Sequence, residues 1–171
     1  MNRRQFVKAG LLGGALLAAS GAWVAWRDVR EADASVPARD RIAEILGAIA
    51  PVLLAGALPA DPSQRGSALA SVTSGVKEVI AAFPPAVRGE VSDLFRLLDI
   101  RIARRLLTGI PDGWRDADPA DITAFLDRWR WSRIAPLQSG YFALHDLVLG
   151  AWYAGESSWD KLGYPGPPNV T

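Results

Sequence analysis

The stretch VRGEVSDLFRLLDIRIARRLLTG, residues 87–109, decides the fold class. Val87, Val91, Leu94, Phe95, Leu98, Ile102 and Leu106 recur at three- and four-residue spacing, which puts them on one side of a helix with 3.6 residues per turn. Gly109 stands where a helix C-cap belongs, because glycine enters the left-handed conformation at little steric cost. The pattern predicts one continuous helix ending at Gly109, with its apolar stripe buried.

The same period extends in both directions. Ile42, Ile45, Leu46, Ile49 and Leu53 predict a helix from about Arg39 to Leu54, with Pro59 barring continuation and Pro59, Asp61, Pro62 and Ser63 in a loop. A second helix is expected from Ser67 to Phe83, broken by Pro84-Pro85 because a residue before proline is pushed out of helical geometry. Beyond the turn formers of 110–118, Asp118 supplies an N-cap and Pro119 a first-turn proline for a helix reaching about Arg133. Pro136 opens the last helix, whose Leu137, Tyr141, Leu144, Val148 and Trp152 share a face until Gly155. No run alternates as a half-buried strand would. The expected fold is all-α: a compact bundle of four to five helices, preceded by a signal helix and followed by an irregular Pro/Gly-rich tail over 156–171.

The N-terminus has a different character. Arg3 and Arg4 precede Phe6 and Lys8, and an uncharged run with Gly10, Gly13, Gly14 and Gly21 follows from Ala9 to Trp26. This reads as a twin-arginine export signal, which would engage the twin-arginine translocase. Ala32 and Ala34 form a small-x-small cleavage site before Ser35. Residues 1–34 are then a signal peptide and residues 35–171 a single helical domain. An uncut membrane anchor is the competing reading, with Trp23 and Trp26 at the interface.

Removing residues 1–34 takes five of the 19 basic and three of the 18 acidic side chains, leaving 14 and 15. So balanced a chain lacks the concentrated basic field that nucleic-acid binding requires. The absence of cysteine excludes disulfides, cysteine-ligated iron–sulfur clusters and covalently attached haem in this chain. His145 adjoins Asp146, but neighbours on a helix point about 100° apart, so no catalytic pair is read from them. Glu44, Glu78, Glu90, Asp93 and Asp99 read as a solvated face without metal-ligand spacing, and Arg101, Arg104 and Arg105 as a modest basic patch. No catalytic, cofactor-binding or metal residue is expected here. A twin-arginine signal carries folded cargo, commonly because a cofactor is inserted first, so a chain without a cofactor site is read as carrying the address for a second, cofactor-bearing polypeptide.

The aromatic residues concentrate C-terminally. After the leader, Trp114, Trp129, Trp131, Trp152 and Trp159, with Tyr141, Tyr153 and Tyr164, all lie in the second half. Such rings fill cores and also anchor interfaces. Trp129 and Trp131, two apart on a helix, are expected to diverge, one inward and one outward.

The closing segment, from Trp152-Tyr153 through Trp159 and Leu162 to Gly163-Tyr164-Pro165-Gly166-Pro167-Pro168, resembles the C-terminus of the gluconate 2-dehydrogenase subunit 3 family. The twin-arginine leader, the length and the helical pattern are similar too. The resemblance implies a non-catalytic small subunit of a periplasmic dehydrogenase of the glucose–methanol–choline type, held at the inner membrane through its complex. It implies that FAD resides in a large partner subunit, that a multihaem cytochrome c subunit can accompany them, and that the small subunit escorts the large one through export and maturation. Trp152, Tyr153, Trp159, Leu162, Tyr164, Pro165, Pro167 and Pro168 are the expected partner interface. The alternative is a stand-alone exported helical protein binding a small ligand in its aromatic half, and a third reading is a membrane-anchored enzyme using His145.

Overall fold

The computed structural model describes residues 38–155 and Ser158. Six α-helices follow in order: α1 (Ala38–Leu53), α2 (Pro62–Ala82), α3 (Pro85–Asp99), α4 (Arg101–Thr108), α5 (Pro119–Arg130) and α6 (Ala135–Ala154), with a 3₁₀ turn at Trp114–Asp116 between α4 and α5. Among the described residues there is no strand, so this part of the chain is all-α. The signal segment and, apart from Ser158, the tail lie outside the described residues.

Two Asp-Pro pairs start helices by the same chemistry. The Asp118 carboxylate accepts from the Ala120 N–H at 2.7 Å, and Pro119, which has no N–H to lose, occupies the first turn of α5. Asp61 accepts from the N–H groups of Ser63 and Gln64 at 3.0 and 2.9 Å, with Pro62 in the first turn of α2. The loop expected over Pro59–Ser63 is therefore already helical from Pro62. These bonds, that from Gln64 first, favour the ionised Asp61 carboxyl and hold its pKa below the ordinary value.

Helix ends are equally specific. Pro51 lies in the last turn of α1 and offers no N–H to the Gly47 carbonyl, and Gly56, at φ +83°, turns the chain. The helix thus stops before Pro59 is reached. Pro84-Pro85 separates α2 from α3 as the sequence predicts, and Arg88 donates back to the Ala81 and Phe83 carbonyls at 2.8 and 3.0 Å. That guanidinium satisfies orphan acceptors at the negative end of the α2 dipole.

The continuous helix expected over 87–108 is two. Ile100 takes φ −59° and ψ 116°, which breaks the run and re-aims α4. A broken helix leaves carbonyls without helical donors, and side chains distant in sequence supply them. The indole N–H of Trp114 donates to the Leu98 carbonyl at 3.0 Å, and Arg104 Nη1 to the Asp99 carbonyl at 3.2 Å. At the far end of α4, Trp129 donates to Leu107 at 3.0 Å and Arg128 to Thr108 at 3.2 Å. Gly109, at φ +75°, closes the helix.

Re-aiming turns α4 inside out. Its buried side carries Arg104 and Thr108, while Ile102 and Leu106 are 66% and 77% exposed. Burial of the full stripe holds for Val91, Phe95 and Leu98, is partial for Leu94, and fails for Val87, Ile102 and Leu106. Arg104 is likewise not part of a surface basic patch, since it turns inward while Arg101 and Arg105 stay exposed. Asp99 is not simply solvated either: it is partly buried and pairs with Arg41 of α1 at 3.0 Å.

The core centres on α1, which packs against α2, α3, α5, α6 and the 3₁₀ turn, burying Ile45, Leu46 and Ile49 completely. One cluster of buried side chains runs from α1 through α6. Gly75 lets α2 approach α6 closely, since a Cβ there would stand 3.3 Å from that of Ala151. At the other side of α6, Gly140 faces the ring of Trp129, which stands edge-on to Phe125 at 4.9 Å between centroids.

Candidate partner interface

An amphipathic helix spends its main stripe on the core, so large apolar residues off that stripe mark surfaces that the fold leaves open. On α2 the core stripe is Ala68, Val72, Val76 and Ile80, and Val79 lies beside it. On α6 the stripe holds Tyr141, Leu144, Val148 and Trp152, and Phe142 lies outside it at 45% exposure. With Phe83 and Val87 from the α2–α3 junction, these residues wall a groove of about 550 Å³. Val91, Leu147 and Ala151 form its buried floor, and Ser139 and Asp146 are its polar lining. Apolar concavities of this kind are the receiving side of many protein interfaces. The sequence carried the signal in the off-stripe positions of Val79 and Phe142, which stripe-based reading passes over.

A wider cleft, about 970 Å³, lies where α1 faces the 3₁₀ turn and the start of α5. Pro51, Val52, Trp114 and Ile122 contribute its apolar lining, and Arg115 Nε approaches the Glu44 carboxylate at 3.9 Å. Trp114 itself is buried, and its N–H is engaged by Leu98, so the indole offers the cleft only ring surface.

His145 and Asp146 do meet. The His145 Nδ1 to Asp146 Oδ1 distance is 3.0 Å, so the expectation that neighbours on a helix cannot face each other is corrected. Both side chains lean round the exposed side of α6, with the imidazole 5.6 Å from the Tyr141 ring. No described hydroxyl donates to this histidine.

Of the expected interface residues, Trp152 is buried in this chain's own core and Tyr153 presents its ring to solvent. Trp159, Leu162, Tyr164, Pro165, Pro167 and Pro168 lie outside the described residues, as do Arg3, Arg4, Phe6, Lys8, Ala32 and Ala34. Ser158 is buried, its N–H and hydroxyl both donating to the Gly155 carbonyl at 3.1 and 2.8 Å. Trp129 and Trp131 diverge as expected, at 1% and 74% exposure.

Among the described residues no group of three or more acidic, histidine or cysteine side chains is placed to hold a metal ion. No family model, no curated protein and no solved structure matches this chain.

Proposed function

We propose that this chain is the non-catalytic small subunit of a periplasmic FAD-dependent dehydrogenase, carrying the twin-arginine address for the flavin-bearing large subunit and supporting its maturation and stability. The open apolar groove between α2, α3 and α6 carries the reading, because an escort needs a surface its own fold leaves unfilled. The leader supports it from the other end of the chain: Arg3, Arg4, Phe6 and Lys8 address folded cargo, and one address serves two proteins if they are joined before export. Association with the inner membrane through the complex, and a cytochrome c subunit as a further partner, belong to the same proposal.

Co-expression of the chain with the flavin subunit, followed by cell fractionation, tests it in two arms. Replacing Arg3→Lys together with Arg4→Lys should strand both proteins in the cytoplasm. Phe142→Arg, at an exposed rim position, should let this chain reach the periplasm while the flavin subunit stays behind. A flavin subunit that is exported normally in either arm would refute the escort reading.

The cleft at Glu44 and Arg115 favours a second reading, a stand-alone small-ligand binder, because its volume falls in the usual range for such sites. A monomer purified with its own ligand, and without a flavin subunit, is the outcome that selects it.

A further inference from the structure

The exposed aliphatic side chains of α4 form part of a larger feature. Among the described residues, the four most exposed of the large apolar side chains are Ile102 and Leu106 on α4, and Trp131 and Ile134 in the turn between α5 and α6, at 66%, 77%, 74% and 60%. The Trp129–Leu107 and Arg128–Thr108 hydrogen bonds tie the end of α4 to the end of α5, so the two segments share one corner of the molecule. None of the four lines the apolar groove or the wider cleft. Their high exposure makes them tips on the surface.

The ground they project from is basic. Arg101 and Arg105 flank the aliphatic pair on α4, and Arg130 and Arg133 flank Trp131 in the turn; all four are exposed, and among the described residues none forms an ion pair. The nearby acids are Asp127 on the last turns of α5 and Asp99 just before α4, the latter paired with Arg41. The other acids of this region, Asp112, Asp116, Asp118 and Asp121, sit in the preceding loop and at the opposite end of α5. The Arg130 guanidinium lies 5.1 Å from the Trp131 ring centroid, a pairing that keeps a charge and an indole at the same height.

We infer that this corner docks on an anionic phospholipid surface. Arginine heads belong among lipid phosphates, tryptophan at the headgroup level, and Ile102 and Leu106 in the outermost acyl region; a short helix with this division lies on a bilayer and does not span it. At eight residues α4 is about 12 Å long, far below a span, and no described helix is long and apolar enough to cross a membrane. Projecting apolar tips on cationic ground suit a fluid surface that closes around them, whereas a protein partner would need pockets to receive each one. The inference does not depend on the export or flavin-subunit reading.

The chain has no cysteine, so Leu106→Cys accepts one environment-sensitive fluorophore, and Ser71→Cys on the exposed side of α2 gives a control outside the corner. The full chain is mixed with vesicles of phosphatidylglycerol in phosphatidylcholine carrying a lipid-borne quencher. The apolar run 9–26 brings both labelled chains to lipid alike, so the difference between positions reports on the corner. The Leu106 label should shift to the blue and be quenched, the Ser71 label should not, and phosphatidylcholine alone should give little response. At lipid sufficient to bind all of the chain, Arg101→Gln with Arg105→Gln should lower the docked-to-undocked ratio read from the Leu106 response about tenfold or more, and high salt should do the same. Equal responses at the two positions, or indifference to lipid charge and to the arginines, would overturn the inference. A Leu106 label that is silent on vesicles but shifts when the flavin subunit is added would make the corner a protein interface instead, and would overturn it equally.

Discussion

The two sides of the α4–α5 corner have nearly the same residue types and opposite roles. Inward, Trp114 and Trp129 bury their rings and give their N–H groups to the carbonyls of Leu98 and Leu107. Outward, Trp131 shares its surface with Ile102, Leu106 and unpaired arginines. Composition therefore does not distinguish a structural tryptophan from a surface one. What separates them is whether a broken helix nearby has a carbonyl to offer. A hydrogen-bonded indole caps the break at Ile100, and beyond that break Ile102 and Leu106 face solvent. The inner side is thus a condition for the outer one, and substitutions on the two sides should differ in kind.

The largest effect belongs to Trp129→Ala. It removes a ring with 1% exposure, its edge contact with Phe125, and the donor to Leu107. Emptying a core aromatic site costs about 3–5 kcal/mol, and the stranded Leu107 carbonyl adds to it. Denaturant unfolding followed by circular dichroism should show the variant largely unfolded or close to it; a loss below about 1 kcal/mol would mean that the inner side does not hold the corner.

Gly140→Ala comes next. The new methyl would sit 2.6 Å from Cζ3 and 3.1 Å from Cε3 of Trp129, closer than such atoms approach. The ring cannot easily retreat, because Leu107 and Phe125 hold it from other directions. Overpacking of this kind costs about 1–3 kcal/mol, enough to outweigh the ordinary gain of alanine over glycine within a helix. A melting temperature equal to or above that of the parent would show that the α5–α6 contact is loose.

These contacts also mark how far the sequence could be read. The end helices were legible from their stripes: Tyr141, Leu144, Val148 and Trp152 up to the Gly155 cap, and Ile45, Leu46 and Ile49 in α1. Asp118-Pro119 was legible for the same local reason, and Asp61-Pro62, carrying the identical signal, was overridden by the cluster of turn formers around it. The break at Ile100 had no local sign. Neither glycine nor proline marks it, and its cause lies at Trp114, Arg104 and the Arg41–Asp99 pair, which the fold brings together. The exposed pair on α4 followed from that break and was missed with it. The groove at Val79 and Phe142 was hidden differently, by a reading that credits apolar residues to the core before asking which of them fit on its stripe.

Trp131→Ala should have the smallest effect on stability. The residue lies two positions from Trp129 and loses a side chain of the same size, so the two variants differ only in environment. At 74% exposure little apolar area is lost to folding, and the contact with Arg130 at 5.1 Å is an exposed cation–π pair worth about 0.5–1 kcal/mol. Chemical denaturation should therefore place Trp131→Ala within about 1 kcal/mol of the parent, with an unchanged helical spectrum and an unchanged denaturant slope. If it instead costs 2 kcal/mol or more, the indole is packed against something in the folded chain, and the outer side of the corner is a second core.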